Sequence, residues 1–118
     1  MFVVVVVVVV VIRLWSLWSS VPPRFRQQSP SVLTAVSGED VILPCDVVAD
    51  PDPVISWRKN HAPIDLFSMD HKYLMEDDSG SLVIPAAEAD DSARYRCVAE
   101  NPAGVITQEL SLIVYGKS

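Results

Sequence analysis

The stretch that decides the fold is Asp91-Ser-Ala-Arg-Tyr-Arg-Cys97. In it Ala93, Tyr95 and Cys97 occupy every second position, and a period of two predicts a β-strand with these side chains on one face. Cys45 and Trp57 stand upstream of this stretch, and each lies in an apolar segment of its own. The stretch is therefore expected to pair with earlier strands that contribute further apolar side chains to a common core.

Period-two patterns recur through the rest of the chain, and Gly, Pro, Asn or Asp residues separate them. No helical period is present, and turn signals return every ~8–12 residues, which is the all-β pattern. A helical turn is expected only in the crossover at 85–91. The predicted inward positions are Val41, Leu43, Cys45, Ile55, Trp57, Leu82, Ile84, Tyr95, Cys97, Leu110, Leu112 and Val114.

The charge balance excludes two classes of partner. The formal net charge is -6 and the sequence pI is about 4.6. Nucleic-acid binding needs a basic surface, and docking on anionic lipid needs clustered Lys or Arg. Among the arginines, Arg94 and Arg96 are expected to face solvent from one strand, where surface ion pairing is favoured over a heparin site.

The N-terminus is an apolar run of Met1-Phe2, nine valines at 3–11 and Ile12. Its length of about twelve residues suits the core of a signal peptide and is short for a membrane span of ~20. Arg13 interrupts it, and no basic residue precedes it, so a signal anchor and an artefact of the gene model stay open. We expect a leader or signal peptide at 1–20, one domain at 21–115, and a linker or the start of a further module at 116–118.

The two cysteines leave three chemistries open: buried thiols, a metal pair or one disulfide. A zinc site needs four ligands, and neither His61 nor His71 stands at finger-like spacing from a cysteine. A disulfide requires an oxidising compartment, which the leader would supply. Consecutive acidic residues at 76–78 could be imagined around calcium, but neighbours on one hairpin do not converge their oxygens. No metal or cofactor is expected.

From Pro22 to Tyr115 the chain resembles an intermediate-set (I-set) immunoglobulin domain. The matching stretches are Pro-Pro-Arg-Phe at 22–25, Val-Ser-Gly-Glu-Asp-Val at 36–41, Leu-Pro-Cys at 43–45, Asp-Pro-Asp-Pro-Val-Ile-Ser-Trp at 50–57, Ser-Gly-Ser-Leu-Val-Ile at 79–84, Asp-Ser-Ala-Arg-Tyr-Arg-Cys at 91–97 and Ala-Glu-Asn-Pro-Ala-Gly at 99–104. Modules with similar stretches occur in hemicentin-like matrix proteins and neural adhesion receptors.

The resemblance implies a two-sheet antiparallel Greek-key sandwich with one disulfide, Cys45–Cys97, between the sheets. It also implies a core of Trp57, Leu82 and Tyr95, in which the Tyr95 hydroxyl bonds back to upstream backbone as a tyrosine corner.

The function that the resemblance implies is noncatalytic recognition of other proteins, in an extracellular module cut from a longer adhesion protein. Two alternatives stay open: an accessory domain of a receptor kinase, phosphatase or matrix enzyme, and an intracellular sarcomeric module with reduced cysteines. No Gly-flanked serine or phosphate-binding glycine loop indicates catalysis. One weak contact residue is Asp65, placed just beyond a strand where similar adhesion domains present a carboxylate to an integrin metal ion.

Overall fold

The computed structural model describes residues 20–66, 72–76 and 79–116. These residues form β-strands joined by turns and one short 3-10 helix at Ala89–Asp91, which confirms the all-β prediction. In chain order the strands are β1 (Val21–Phe25), β2 (Val32–Val36), β3 (Val41–Leu43), β4 (Val47–Asp50), β5 (Val54–Lys59), β6 (Ala62–Pro63), β7 (Leu74–Met75), β8 (Leu82–Ile84), β9 (Ala93–Asn101) and β10 (Gly104–Tyr115).

Both predicted terminal segments lie almost wholly outside the described residues. Of the predicted leader only Ser20 is described, and of the predicted linker only Gly116. Within the described part of the chain no helix is long and apolar enough to cross a membrane.

The strands form the two layers of an immunoglobulin-like sandwich. One layer is a five-stranded sheet in the order β2-β10-β9-β5-β6. The other contains β3-β8-β7 and, as a separate pair, β1-β4. Since β3 and β4 are consecutive parts of one extended segment, these two groups continue each other along the same layer.

A proline explains why the second layer is divided. Pro44 follows β3 directly and has no N–H for a strand ladder, so regular pairing stops there. The N–H of Cys45 is instead donated to the side-chain Oγ of Ser81, 3.3 Å away. Pairing resumes with β4, now against β1. The alternation predicted from Val41 through Cys45 persists, because Val41, Leu43 and Cys45 are all buried.

One pairing is parallel: β2 runs alongside β10 in the same direction, and the other pairings are antiparallel. The strand before β2 in the chain is β1, which lies in the opposite layer, and no hairpin joins β2 to β10. Parallel neighbours require such a crossover. The sequence analysis did not predict this pairing.

The Cys45–Cys97 disulfide joins the two layers, as predicted, with the Cα atoms 6.3 Å apart. Trp57 lies opposite Cys97 in the pairing of β5 with β9 and is only 2% exposed. Its indole Nε1 donates a hydrogen bond of 2.9 Å to the Gly80 carbonyl. Leu82 and Tyr95 have no exposed surface and belong to the same core.

Tyr95 forms a hydrogen bond to the turn that precedes β9. Its hydroxyl donates a 2.6 Å hydrogen bond to the backbone carbonyl of Asp91, four residues upstream. The Asp91 carboxylate is also buried: it accepts the Glu88 N–H at 2.8 Å and forms an ion pair with Lys72 at 2.8 Å. Burial alone would raise the pKa of Asp91, but these hydrogen bonds and the nearby positive charge outweigh it and lower that pKa.

Candidate recognition surface

The outer face of the five-stranded sheet exposes side chains from β5, β9 and β10. Cross-strand register places its side chains in rows that run from β5 through β9 to β10. We name two of these rows. The valine row is Val54, Glu100 and Val105, and the charged row is Arg58, Arg96 and Glu109. Between them lie Ser56, Val98 and Thr107.

The valine row exposes apolar side chains on the solvent side of the sheet. Val54 is 74% exposed and Val105 is 57% exposed. Both pair with Glu100, which lies between them and is exposed itself. The two valines that flank this carboxylate make a small exposed apolar patch with a charge at its centre.

The charged row is held in place by its own interactions. The Arg96 guanidinium binds the Glu109 carboxylate through Nε at 2.8 Å and through a second nitrogen. The hydrogen bonds from Arg96, and then its positive charge, lower the pKa of Glu109. Arg58 donates to the carbonyl of His61 at 3.0 Å. Two arginine side chains are thus oriented on a rigid sheet.

A hydrogen-bonded asparagine fixes the end of the sheet that carries the valine row. Asn101 is 7% exposed, and its Nδ2 donates to the carbonyls of Val21 at 2.8 Å and Pro51 at 3.1 Å. Its Oδ1 accepts the N–H groups of Ala103 and Gly104. One side chain thereby ties the β9–β10 turn to β1 and to the loop before β5. The sequence analysis did not predict this role for Asn101.

Asp65 is exposed, lies two residues beyond the end of β6 and lines a groove. Val54, Ile55 and Met75 contribute apolar surface to this groove, and Glu76 adds a second carboxylate. The groove lies at the end of the sheet that carries the valine row, since Val54 belongs to both. Integrin contact through Asp65 remains a prediction.

The histidines and the acidic residues at 76–78 were the other polar residues considered as possible metal ligands. His61 is exposed in the β5–β6 turn with a φ of 73°. Across residues 20–66, 72–76 and 79–116, no three His, Cys, Asp or Glu side chains are grouped so as to hold a metal ion. His71, Asp77 and Asp78 lie outside the described residues.

The sequence analysis missed the outer face as a surface, although one signal was available. Ile55 and Trp57 are predicted to point inward, so alternation along the strand places Val54 on the solvent side of β5. The register that brings Val54 and Val105 to either side of Glu100 could not be inferred, because it depends on how three strands align.

Fold and sequence together define the class. The chain belongs to the immunoglobulin I-set family, whose model, described as "Immunoglobulin I-set domain", matches residues 23–114. The predicted resemblance is confirmed.

Two curated relatives are similar over most of this chain. Human neural cell adhesion molecule 1 is 37% identical over 99 residues, which are 83% of this chain and 12% of that protein. Mouse hemicentin-1 is 39% identical over 89 residues, which are 75% of this chain and 2% of that protein. The chain thus spans only a small part of either relative's length. The family matched is not one of enzymes.

Solved structures share the fold. A chimeric titin Z1Z2 structure carrying an exogenous decorin peptide superimposes with a TM-score of 0.72 at 30% identity, covering 84% of this chain and 100% of that one. Tandem immunoglobulin repeats of Dlar give a TM-score of 0.69 at 29% identity, covering 80% and 49%.

Proposed function

We propose that this chain is a noncatalytic protein-recognition module of an extracellular adhesion or receptor protein. The observation that carries the proposal is the outer face, where the exposed valine row and the ordered arginines of the charged row lie on the same side of the sheet, one row apart. Rigid strands hold both rows, so binding would cost little backbone ordering. Arginine is one of the residue types that dominate protein interfaces. The exposed valines add apolar area on the same face.

The extracellular location is supported by two separate observations. The Cys45–Cys97 disulfide is stable in an oxidising compartment. The relatives are named as a neural cell adhesion molecule and as hemicentin-1. In this proposal residues 1–20 act as a leader, residues 21–115 form the module, and residues 116–118 begin a connection to a further domain of a longer chain.

A cell-binding experiment tests the recognition function. Beads coated with the full chain are mixed with intact cultured cells, before and after the cells are treated with trypsin. We expect trypsin-sensitive binding that falls at least tenfold in the double variant Val54→Lys/Val105→Lys. The matched control is Ile42→Lys, because Ile42 is 51% exposed on the opposite layer. Equal loss in the control, or binding that trypsin does not affect, would refute a protein-recognition role for the outer face.

A second candidate function is an intracellular sarcomeric module, because titin domains are among the solved structures of this fold. Reducing cytosol would keep Cys45 and Cys97 as free thiols. The chain is isolated from cells lysed in a thiol-alkylating reagent, and the two cysteines are examined by mass spectrometry. A disulfide-linked peptide pair is the expected result. Alkylation of both cysteines would favour the sarcomeric alternative and refute the extracellular one.

Asp65 offers a narrower version of the recognition function. An exposed carboxylate beyond β6 could complete the coordination of an integrin metal ion. Adhesion of integrin-expressing cells to a surface coated with the full chain would then require divalent cations and would be lost in Asp65→Asn. Adhesion unchanged by Asp65→Asn would exclude this contact and leave the outer face as the candidate surface.

A further inference from the structure

The edge of the five-stranded sheet formed by β2 is unprotected. Its five residues, Val-Leu-Thr-Ala-Val, contain no proline, glycine or charge, and the segment from Ser29 to Ser37 is likewise uncharged. The opposite edge strand, β6, has two residues, one of them Pro63, and β1 carries Pro22 and Pro23. Proteins normally blunt edge strands with such features, and an edge without them is a template for pairing with another strand.

The backbone of β2 offers hydrogen-bonding groups away from β10. The Ser31 carbonyl accepts the Ser111 N–H, and the Ser37 N–H donates to the Tyr115 carbonyl. Odd-numbered residues of this segment therefore face β10. Because successive residues of a strand alternate, the N–H and C=O groups of Val32, Thr34 and Val36 point to the opposite side. Within the described residues, no strand lies along that side.

Exposed and mostly apolar side chains lie along this edge. Val32 is 52% exposed and Val36 is 40% exposed, and Thr34 between them is exposed as well. Ile113 and Tyr115 on β10, in register with Thr34 and Val36, are 39% and 58% exposed. We name these five residues the β2 strip. It is a continuous, uncharged, mostly apolar surface along the unpaired edge.

We propose that β2 pairs antiparallel with β2 of a second copy of this chain, about a twofold axis at Thr34. This inference goes beyond the proposed function, since it adds a second copy of the chain as a partner and assigns it to an edge outside the valine and charged rows. The exposed pattern Val-x-Thr-x-Val is the same in both directions. Antiparallel pairing therefore sets Val32 opposite Val36 of the partner subunit and Thr34 opposite Thr34 of the partner subunit, and such β-branched pairs stabilise sheets.

The hydrogen-bond count and the charges both agree with this arrangement. The outward groups at 32, 34 and 36 supply about six main-chain hydrogen bonds across the pair. The Val36 carbonyl accepts the Glu39 N–H already, and a carbonyl can accept a second hydrogen bond. Arg94 lies in the cross-strand row of Val32, near the beginning of β2, while Glu39 and Asp40 follow its end. Antiparallel pairing sets these acidic residues at the same end of the pair as Arg94 of the partner subunit, three strand spacings or ~14 Å away.

The charge at position 34 tests the axis directly. The full chain is studied by sedimentation equilibrium at concentrations up to about 1 mM, the weak end of specific association. We expect the wild type to dimerise, and Thr34→Lys to weaken the dimer at least tenfold because two like charges then face each other at the axis. Thr34→Glu alone should do the same. An equimolar mixture of the Lys and Glu variants should restore dimers, since opposite charges then meet.

The control is Thr107→Lys, which adds the same charge to an exposed threonine of the outer face, away from the β2 edge. It should leave dimerisation within about twofold of the wild type. A wild type that stays monomeric, or a mixture of the two Thr34 variants that fails to associate, would overturn the pairing. A monomeric chain that still binds cells through Val54 and Val105 would overturn it while the proposed function stands.

Discussion

The Tyr95 hydroxyl is the clearest single group through which to test how this fold is stabilised. Its 2.6 Å hydrogen bond to the Asp91 carbonyl joins β9 to the turn that leads into it. Tyr95→Phe removes one oxygen and keeps the buried ring. The variant therefore tests the hydrogen bond with almost no change in apolar packing around the disulfide.

The expected cost follows from burial. Tyr95 is fully buried, so after the substitution the Asp91 carbonyl loses a donor in a place that water reaches poorly. A buried polar group left unsatisfied costs about 1–3 kcal/mol. We expect the free energy of unfolding to fall by ~2 kcal/mol. For a domain of this size each kcal/mol shifts the Tm by roughly 4–8 °C, so the Tm should fall by roughly 8–16 °C.

The assay is urea and thermal unfolding of the full chain, followed by circular dichroism. Tyr115→Phe is the matched control, because Tyr115 is 58% exposed and water can replace any partner of its hydroxyl. The control should change the unfolding free energy by less than ~0.5 kcal/mol. If Tyr95→Phe behaves like Tyr115→Phe, the corner contributes nothing measurable and the reasoning fails.

Two further predictions concern the loop at Gly80 and the ion pair at Asp91. Gly80→Ala should cost ~2–4 kcal/mol in chemical denaturation, because the backbone has a φ of +75° and an added Cβ would lie 2.8 Å from Ile55 Cγ1. Gly104→Ala, whose Cβ meets only ordinary contacts, should cost under ~1 kcal/mol, and equal losses would contradict this. Asp91 has a lowered pKa in the folded state, so its stabilising effect is complete above the unfolded value of ~3.9 and is lost as the pH falls through the folded pKa. The hydrogen bond to Asp91 raises the pKa of Lys72, so that contribution is complete below ~10.4 and is lost as the pH rises through the folded pKa. Urea unfolding at several pH values should show Asp91→Asn less stable than the wild type at pH 6, with the difference shrinking as the pH falls below ~3.9. A gap independent of pH would show that the carboxylate charge is irrelevant.

Much of the core could be predicted because its signals are local. Alternation placed Leu43 and Cys45 on one face of their segment, and both are buried even though Pro44 interrupts the ladder between them. A side chain's face depends on its parity along an extended backbone, which sequence states directly. Hydrogen-bonding partners are not local, so the division of that segment between β1 and β8 was not predicted.

The candidate surfaces were harder to predict for the same reason. The valine row exists because β5 and β10 both pair with β9 in a register that places Val54 and Val105 opposite Glu100. The ion pair between Arg96 and Glu109 depends on that register as well. The sequence analysis placed Arg96 on the solvent side but had no means of choosing its partner.

The sequence by itself determined the class of fold and which two cysteines and which indole lie at the centre of that fold. Period-two apolar patterns and turn residues are enough for this, because they act over only a few neighbours. Only the tertiary structure decided which residues meet across strands. The pairing of the strands placed β2 parallel to β10 at one edge of the sheet and determined which side chains form the outer face. Strand order and register arise from packing the whole chain at once, so contacts between distant segments carry information that no single segment contains.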